Sequence, residues 1–254
     1  MDQRPIGIID SGVGGLSIWQ EVAKYLPSED ILYLADQKNF PYGKKNPEEL
    51  YKIVSGKVDW FLKNNIKLLV IACNTATVHT LDKLRQHFPI PIIGIVPIVK
   101  KAAELSRKKK IIVLATSATA QSNYLKNLIK RFAGDCQVFI YALDNVVSQI
   151  ENREAVDITG KQDGLSKKDV DVVALGCTHY SFIKPQLRKL FGGKVRVLDA
   201  AGAIARQVRR ILTNNQTLAR NKKPRYTFYT TGDVVKFNKQ LRLLLKKEFV
   251  AREL

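Results

Sequence analysis

The chain has 254 residues, 45% hydrophobic and 26% charged, which is ordinary for a soluble globular protein and enough for one large core or two smaller ones. Its three cysteines, Cys73, Cys136 and Cys177, lack CxxC or CxxxC spacing, which excludes a disulfide framework and a zinc finger and fits a reducing cytoplasm. The net charge of +19 would attract nucleic acid, but no helix-turn-helix, RRM or zinc-finger pattern accompanies it, and a solvated basic surface that steers small anions is the favoured reading.

The N-terminus Met1-Asp2-Gln3-Arg4-Pro5 lacks the order of a signal peptide, and no apolar run approaches the ~20 residues of a membrane helix, so no membrane partner is expected. Residues 5–10 read as an apolar strand ending in Asp10, and Ser11-Gly12-Val13-Gly14-Gly15 as a loop into a helix over 16–26. The glycines and the helix N-terminus suit a carboxylate or phosphate. A dinucleotide fingerprint, with Asp36 as ribose partner, fits poorly because Ser17 stands where a third glycine or alanine should lie.

A second strand spans 31–35, followed by the loop Asp36 to Gly43, where Pro41, Tyr42 and Gly43 offer an aromatic and backbone donors; alternatively, Tyr42 simply packs at a turn. Asn46 and Pro47 mark the start of a helix running to 64. The strand over 67–72 ends in Cys73-Asn74-Thr75, where a helix begins, and a fourth strand covers 91–97. The alternation then restarts with a helix to 107, a strand over 111–115, a turn at Thr116 to Thr119, one helix to 132, a strand over 137–141 and a helix over 145–151. Residues 152–166 read as a polar, poorly ordered connection. The strand ending in Leu175-Gly176 leads to Cys177-Thr178-His179, with a helical pattern from Phe182. A strand over 195–198, a helix over 201–212 with Arg206, Arg209 and Arg210 on one face, a basic connector over 213–224, a strand over 226–230 and a helix over 234–246 complete the chain.

This alternation predicts an α/β fold of two similar parallel-sheet lobes with a pseudo-twofold relation and an active site in the cleft between them. The first lobe takes residues 1–96 with 206–254 returning to it, the second 97–205.

Two thiols at two strand tips leave three readings. They are core residues, or they bind metal with His179, or they do acid–base work. No metal-ligand spacing is met, and the hydrogen-bonding residues after each cysteine need partners. Inverting a carbon requires a base on one face and an acid on the other, which two thiols supply, with Asp10 and His179 as tuners. A Cys–His hydrolase leaves one cysteine idle, and a histidine two residues from its cysteine is a strained dyad.

Five motifs in order, Asp10-Ser11-Gly12-Val13-Gly14-Gly15, Pro41-Tyr42-Gly43, Ala72-Cys73-Asn74-Thr75, Thr116 with Thr119, and Leu175-Gly176-Cys177-Thr178-His179-Tyr180, resemble the cofactor-independent aspartate/glutamate racemase family from about Pro5 to Asp233. The resemblance implies a racemase of glutamate, with aspartate as the alternative, that uses no PLP, metal or nucleotide. It implies that Cys73 acts on the D-enantiomer and Cys177 on the L-enantiomer, assisted by Asp10 and His179, with Glu151 supporting the histidine. Asp10, Ser11, Pro41, Tyr42, Gly43, Asn74, Thr75, Thr116, Thr119 and Thr178 would form the substrate site. It further implies a homodimer and D-glutamate for peptidoglycan. The chain departs from the family pattern at Leu143-Asp144 (usually Cys-Pro), Ser181 (usually proline) and Ala200 (usually serine). The short stretch between Glu151 and Asp171 implies an abbreviated crossover helix.

Overall fold

The first strand, β1 (Ile6–Asp10), is an unbroken buried run and is followed by α1 (Leu16–Tyr25), β2 (Ile31–Ala35), α2 (Pro47–Lys63), β3 (Leu68–Ile71), α3 (Asn74–His87) and β4 (Ile92–Gly94). The chain continues through α4 (Val99–Leu105), β5 (Lys110–Ala115), α5 (Ser117–Gln121), α6 (Asn123–Phe132), β6 (Gln137–Ala142) and α7 (Asp144–Asn152). Then come β7 (Val172–Gly176), α8 (Lys184–Leu190), β8 (Arg196–Leu198), α9 (Ala201–Asn214), β9 (Tyr226–Thr230), α10 (Val234–Leu245) and β10 (Ala251–Glu253). This computed structural model describes residues 2–156, 158 and 169–254. Two compact units emerge, Met1–Ile95 with Ala201–Leu254, and Val96–Ala200.

Each unit is built on its own parallel sheet, ordered β10-β9-β2-β1-β3-β4 in the first and β6-β5-β7-β8 in the second. The order 2-1-3-4 of the first four strands therefore recurs as 6-5-7-8. In each sheet the direction of strand addition reverses beside the first strand of the set, between β1 and β3 and between β5 and β7. That reversal is the switch point of an open parallel sheet, where the loops at the carboxyl ends of the strands part and leave room for a ligand. Cys73 follows β3 and Cys177 follows β7, so each thiol stands at the switch point of its own sheet.

The central strands β1, β2, β3, β5 and β7 read as largely apolar, buried runs, as strands of a parallel sheet covered by helices do. In the first unit α1 packs on α9 and α10, while α2 packs on α3. The steps β1 to β2 and β9 to β10 run one way across the sheet and β2 to β3 to β4 the other, so right-handed crossovers place these two helix sets on opposite faces. Local signals fix the helix ends. Asn46 caps α2 by accepting from Glu49 N at 2.9 Å, Pro47 occupies its first turn, and Glu48 and Glu49 meet the positive end of its dipole.

Beneath the N-terminal ends of these strands lies a buried ion pair. Lys67 Nζ is 2.6 Å from Glu29 Oε2 and also donates to Asp2 O (2.7 Å) and Thr217 O (2.8 Å). Ala219 N donates to Glu29 Oε1 at 2.8 Å. One lysine and one glutamate thus join the N-terminus, the α1–β2 loop, the start of β3 and the connector after α9.

Three features differ from the sequence expectation. The single helix to Phe132 is two helices, because Ser122 takes an extended conformation (φ −64°, ψ 142°) and its hydroxyl caps α6 at Leu125 N. The helix expected from Phe182 begins at Lys184, because Thr178–Ile183 winds as a 3-10 helix. β10 was not expected at all; the short polar stretch Ala251–Glu253 joins the sheet by pairing with β9. The expected polar connection over 152–166 lies largely outside the described residues, as does much of the stretch from Glu151 to Asp171. Within them, α7 ends at Arg153 in the left-handed region (φ 62°).

Candidate active site

In the first unit, β1 and β3 are hydrogen-bonded neighbours, so their tips bring Asp10 and Cys73 to the same end of the sheet. Asp10 is fully buried and accepts from Ser11 N (2.6 Å) and Ser11 Oγ (3.3 Å), and Ser11 Oγ lies 3.9 Å from Cys73 Sγ. Gly15 is required here: a Cβ on it would lie 2.7 Å from Asp10 Cβ and 2.9 Å from Tyr33 Oη. The expectation that the first turn of α1 holds an anion is not met by its amides. Leu16 N, Ser17 N and Ile18 N donate to Val13 O, Gly14 O and Gly15 O, because the glycine loop folds back as a tight turn over the helix start.

Cys73 is the N-cap residue of α3, and Asn74 and Thr75 begin that helix, both buried. Asn74 is the most telling side chain of the site. It is 97% buried, yet neither its Oδ1 nor its Nδ2 has a hydrogen-bond partner among the described residues. An unpaired buried amide group costs about 1–3 kcal/mol, a cost that a bound polar ligand would offset. Asn74→Ala is therefore expected to lower kcat/KM about tenfold or more, with Tm unchanged or raised in a thermal melt, because no internal hydrogen bond is lost.

The loop 36–43 is organised by Asp36, for which the sequence offered only a poorly fitting ribose contact. Its buried carboxylate accepts from Tyr42 Oη (2.8 Å), Asn39 Nδ2 (2.9 Å) and Thr231 Oγ1 (2.8 Å), with Lys57 Nζ at 3.5 Å. It is fully engaged in positioning the loop, which excludes the ribose role. Tyr42 is buried, its ring in the core under α2 and α3; burial first, then the neighbouring Asp36 carboxylate, pushes its phenol well above the ordinary value. Its hydroxyl is used within the protein. The Phe40–Pro41 peptide is cis, and Tyr42–Lys44 forms a 3-10 turn that includes Gly43.

The second unit repeats the arrangement with different side chains. Thr116, at the end of β5, caps α5 by accepting from Thr119 N (3.3 Å), and its hydroxyl lies 3.1 Å from that of Thr119, itself fully buried. Asp144 accepts from Ser117 N (3.0 Å) and from the Ser117 hydroxyl, which ties α7 to this turn. After β7 the chain enters the 3-10 helix at Thr178, and Tyr180 Oη anchors it by donating to Ala115 O at 2.9 Å. Strain was expected in a histidine two residues from its cysteine. The 3-10 turn folds the ring back instead, with Nδ1 3.7 Å from Cys177 Sγ.

His179 Nε2 lies 2.7 Å from Glu151 Oε1, delivered by α7. Burial opposes a charge on this imidazole, but its hydrogen bonds to Cys177 and Glu151, and their charges, outweigh burial and raise its pKa well above the ordinary value. The network thus favours the protonated form of the ring that faces the Cys177 sulfur. Because the folded pKa is raised, this protonation stabilises the fold in full below about pH 6.5 and is lost as pH rises through the higher folded value. Glu151→Gln is expected to lower the histidine pKa and shift the alkaline limb of the pH–rate profile to lower pH. An unmoved limb would remove Glu151 from the network.

Among the described residues, no group of three or more His, Cys, Asp and Glu side chains could hold a metal ion, and no helix is long and apolar enough to cross a membrane. Cys136 lies apart from both cysteine loops, beside Asp135 on the surface.

Residues 6–208 match the profile of the Asp/Glu/Hydantoin racemase family. The chain belongs to this family. Among its relatives is the glutamate racemase of Roseiflexus sp. (strain RS-1), 41% identical over 245 residues, covering 92% of this chain and 89% of the relative. The structure of glutamate racemase isoform RacE1 from Bacillus anthracis superposes with a TM-score of 0.89 at 31% identity, covering 100% of this chain and 98% of the other. Escherichia coli glutamate racemase in complex with L-glutamate and the activator UDP-MurNAc-Ala gives a TM-score of 0.84 at 30% identity, covering 98% and 97%.

Within this racemase family member, Asp10, Ser11, Cys73, Asn74 and Thr75 come together at the switch point of the first sheet, and Thr116, Thr119, Cys177, Thr178 and His179 at that of the second, with Glu151 behind the histidine. The loop bearing Pro41, Tyr42 and Gly43 belongs to the first unit and is held by Asp36. Sequence reasoning missed Asp36 and Asp144 as the groups that fix these loops. The available signal was an acid just past a strand end, one residue after β2 for Asp36 and two after β6 for Asp144, where it opens α7.

Proposed function

We propose that the protein interconverts L- and D-glutamate by moving the α-proton between two thiols, without an added cofactor. The observation that carries this reading is the repeat: the same strand order occurs twice, and each copy ends its third strand in a cysteine followed by hydrogen-bonding residues. A single-base hydrolase needs one such thiol, whereas inversion at carbon needs two of opposite protonation state. The identity to glutamate racemases across nearly the whole chain supports glutamate as the substrate.

In this reading a thiolate removes the α-proton from one face of the substrate, the electron pair stays on the α-carbon beside the carboxylate, and the second thiol gives its proton to the opposite face. Cys73 acts on the D-enantiomer and Cys177 on the L-enantiomer. Asp10 serves Cys73, and the His179–Glu151 pair serves Cys177. Ser11, Asn74 and Thr75, the Pro41-Tyr42-Gly43 loop, and Thr116, Thr119 and Thr178 hold the substrate's carboxylates and ammonium; with the Tyr42 hydroxyl bound to Asp36, that loop contributes main-chain groups. The unpartnered amide of Asn74 supports a polar ligand at Cys73. The product, D-glutamate, would be made in the cytoplasm for peptidoglycan.

The test is proton NMR of the purified protein with L-glutamate in deuterated water, no cofactor added, with L-aspartate in a parallel sample. Loss of the α-proton signal with appearance of D-glutamate is the expected outcome. Exchange of aspartate alone would move the substrate assignment, and exchange of neither would overturn the reading.

A further inference from the structure

The helix layer α9–α1–α10 on one face of the first sheet has an outer surface that the proposed reaction does not use. Six large hydrophobic side chains are exposed among the described residues, and four of them, Val235, Leu243, Val250 and Leu254, lie in the last twenty residues. Val235 and Leu243 sit on α10, whose inner face is filled by Phe237, Gln240, Leu241 and Leu245 against the rest of the unit. At helical spacing, Val235, Lys239, Arg242, Leu243 and Lys246 share the outward side, with the two aliphatics about 12 Å apart along the axis.

No acid shares that stripe. Asp233 caps the start of the helix through Lys236 N, and Glu248 beyond its end pairs with Arg242 at 2.8 Å. On the neighbouring helices the outward groups are Glu21 and Lys24 of α1 and Arg206, Arg209 and Arg210 of α9, where Arg209 lies over the exposed ring of Tyr25. The layer therefore presents a cationic face with aliphatic side chains standing among the lysines of α10.

Surface docking needs no spanning helix, and we propose, against the sequence expectation of no membrane partner, that this face, centred on α10, docks reversibly on a membrane surface rich in anionic lipid. Charge complementarity selects the partner: lysine and arginine stems reach phosphate headgroups, while Val235 and Leu243 enter the headgroup–acyl boundary. A second copy of the chain is disfavoured because it would set cation against cation. Nucleic acid meets the charge equally well but offers no apolar phase for the aliphatics, and base stacking calls for exposed aromatic rings that α10 does not present.

The test is co-sedimentation of the full chain with vesicles of phosphatidylcholine alone, and of phosphatidylcholine mixed with phosphatidylglycerol, at fixed ionic strength. A duplex DNA oligonucleotide is titrated in parallel. Binding to the mixed vesicles only is expected, lost in K239E/K246E/K247E and weakened roughly tenfold in V235S/L243S. Unchanged circular-dichroism melts and racemisation rates in both variants show that folding is intact. Absence of binding to the anionic vesicles overturns the proposal. So does DNA binding as tight as vesicle binding with V235S/L243S unaffected, which would make the face a polyanion surface instead.

Discussion

Cys73→Ala and Cys177→Ala are each expected to abolish racemisation, by about 10²–10⁴-fold or more, the range contributed by a positioned acid or base. The informative part is what survives. With one thiol gone, the other can still take the α-proton from its own face and return a solvent-derived proton to it. Cys73→Ala should therefore wash deuterium slowly into L-glutamate without forming D-glutamate, and Cys177→Ala should do the same with D-glutamate alone. Chiral analysis of the recovered substrate alongside its NMR spectrum reads both quantities. A single-base mechanism predicts that one variant keeps full racemisation, which would falsify the assignment of two roles. Both thiols are buried within loops anchored by other groups, so neither substitution should cost much stability.

Lys67→Met should have the largest effect on stability. The ammonium is completely enclosed, holds Glu29 at 2.6 Å and satisfies two main-chain carbonyls. Methionine keeps the stem's packing but leaves a buried carboxylate without its counter-charge. Breaking one side of such a pair costs about 3–5 kcal/mol, to be measured as a lowered urea midpoint at an unchanged m-value. The double variant Lys67→Met/Glu29→Met removes both charges and should recover much of the loss. If the single variant melts like the parent, the pair lies in a wetter setting than its enclosure indicates. No catalytic group is touched, so the folded fraction should keep its racemisation rate.

Much of the fold is legible in the sequence because each central strand is an aliphatic run closed by a glycine, cysteine or acid. Ile31–Ala35, closed by Asp36, matches the expected bounds for that reason, whereas Tyr226–Thr230 matches them through its aromatic and threonine residues ahead of Thr231-Gly232. β10 was not legible, since Ala-Arg-Glu carries no alternation and becomes a strand only by pairing with β9. Ser122 was hidden for a different reason. A serine inside a helical pattern looks tolerable until its hydroxyl is seen capping Leu125. The site divides in the same way. Cys73, Asn74, Cys177, Thr178 and His179 announce themselves because small polar residues after an apolar run are uneconomical in a core. The role of Asp36 was missed because one of its donors, Thr231, comes from the far end of the chain, and only folding brings that hydroxyl to within 2.8 Å. The amides at the start of α1 were misread because the glycine pattern does not reveal that Leu16, Ser17 and Ile18 donate back to Val13, Gly14 and Gly15.

The first unit is discontinuous, and this orders events during synthesis. Strand β2 has β1 on one side from the start, but its other neighbour, β9, is made only after the whole of Val96–Ala200. Until then the nascent chain carries an open strand edge, and Glu29 and Lys67 lack the main-chain partners from Thr217 and Ala219. The second unit is continuous and can complete its sheet first. A ribosome-bound chain stalled before Tyr226 should therefore hold a finished second unit beside a first unit with an unpaired edge, the state most exposed to chaperone capture or aggregation.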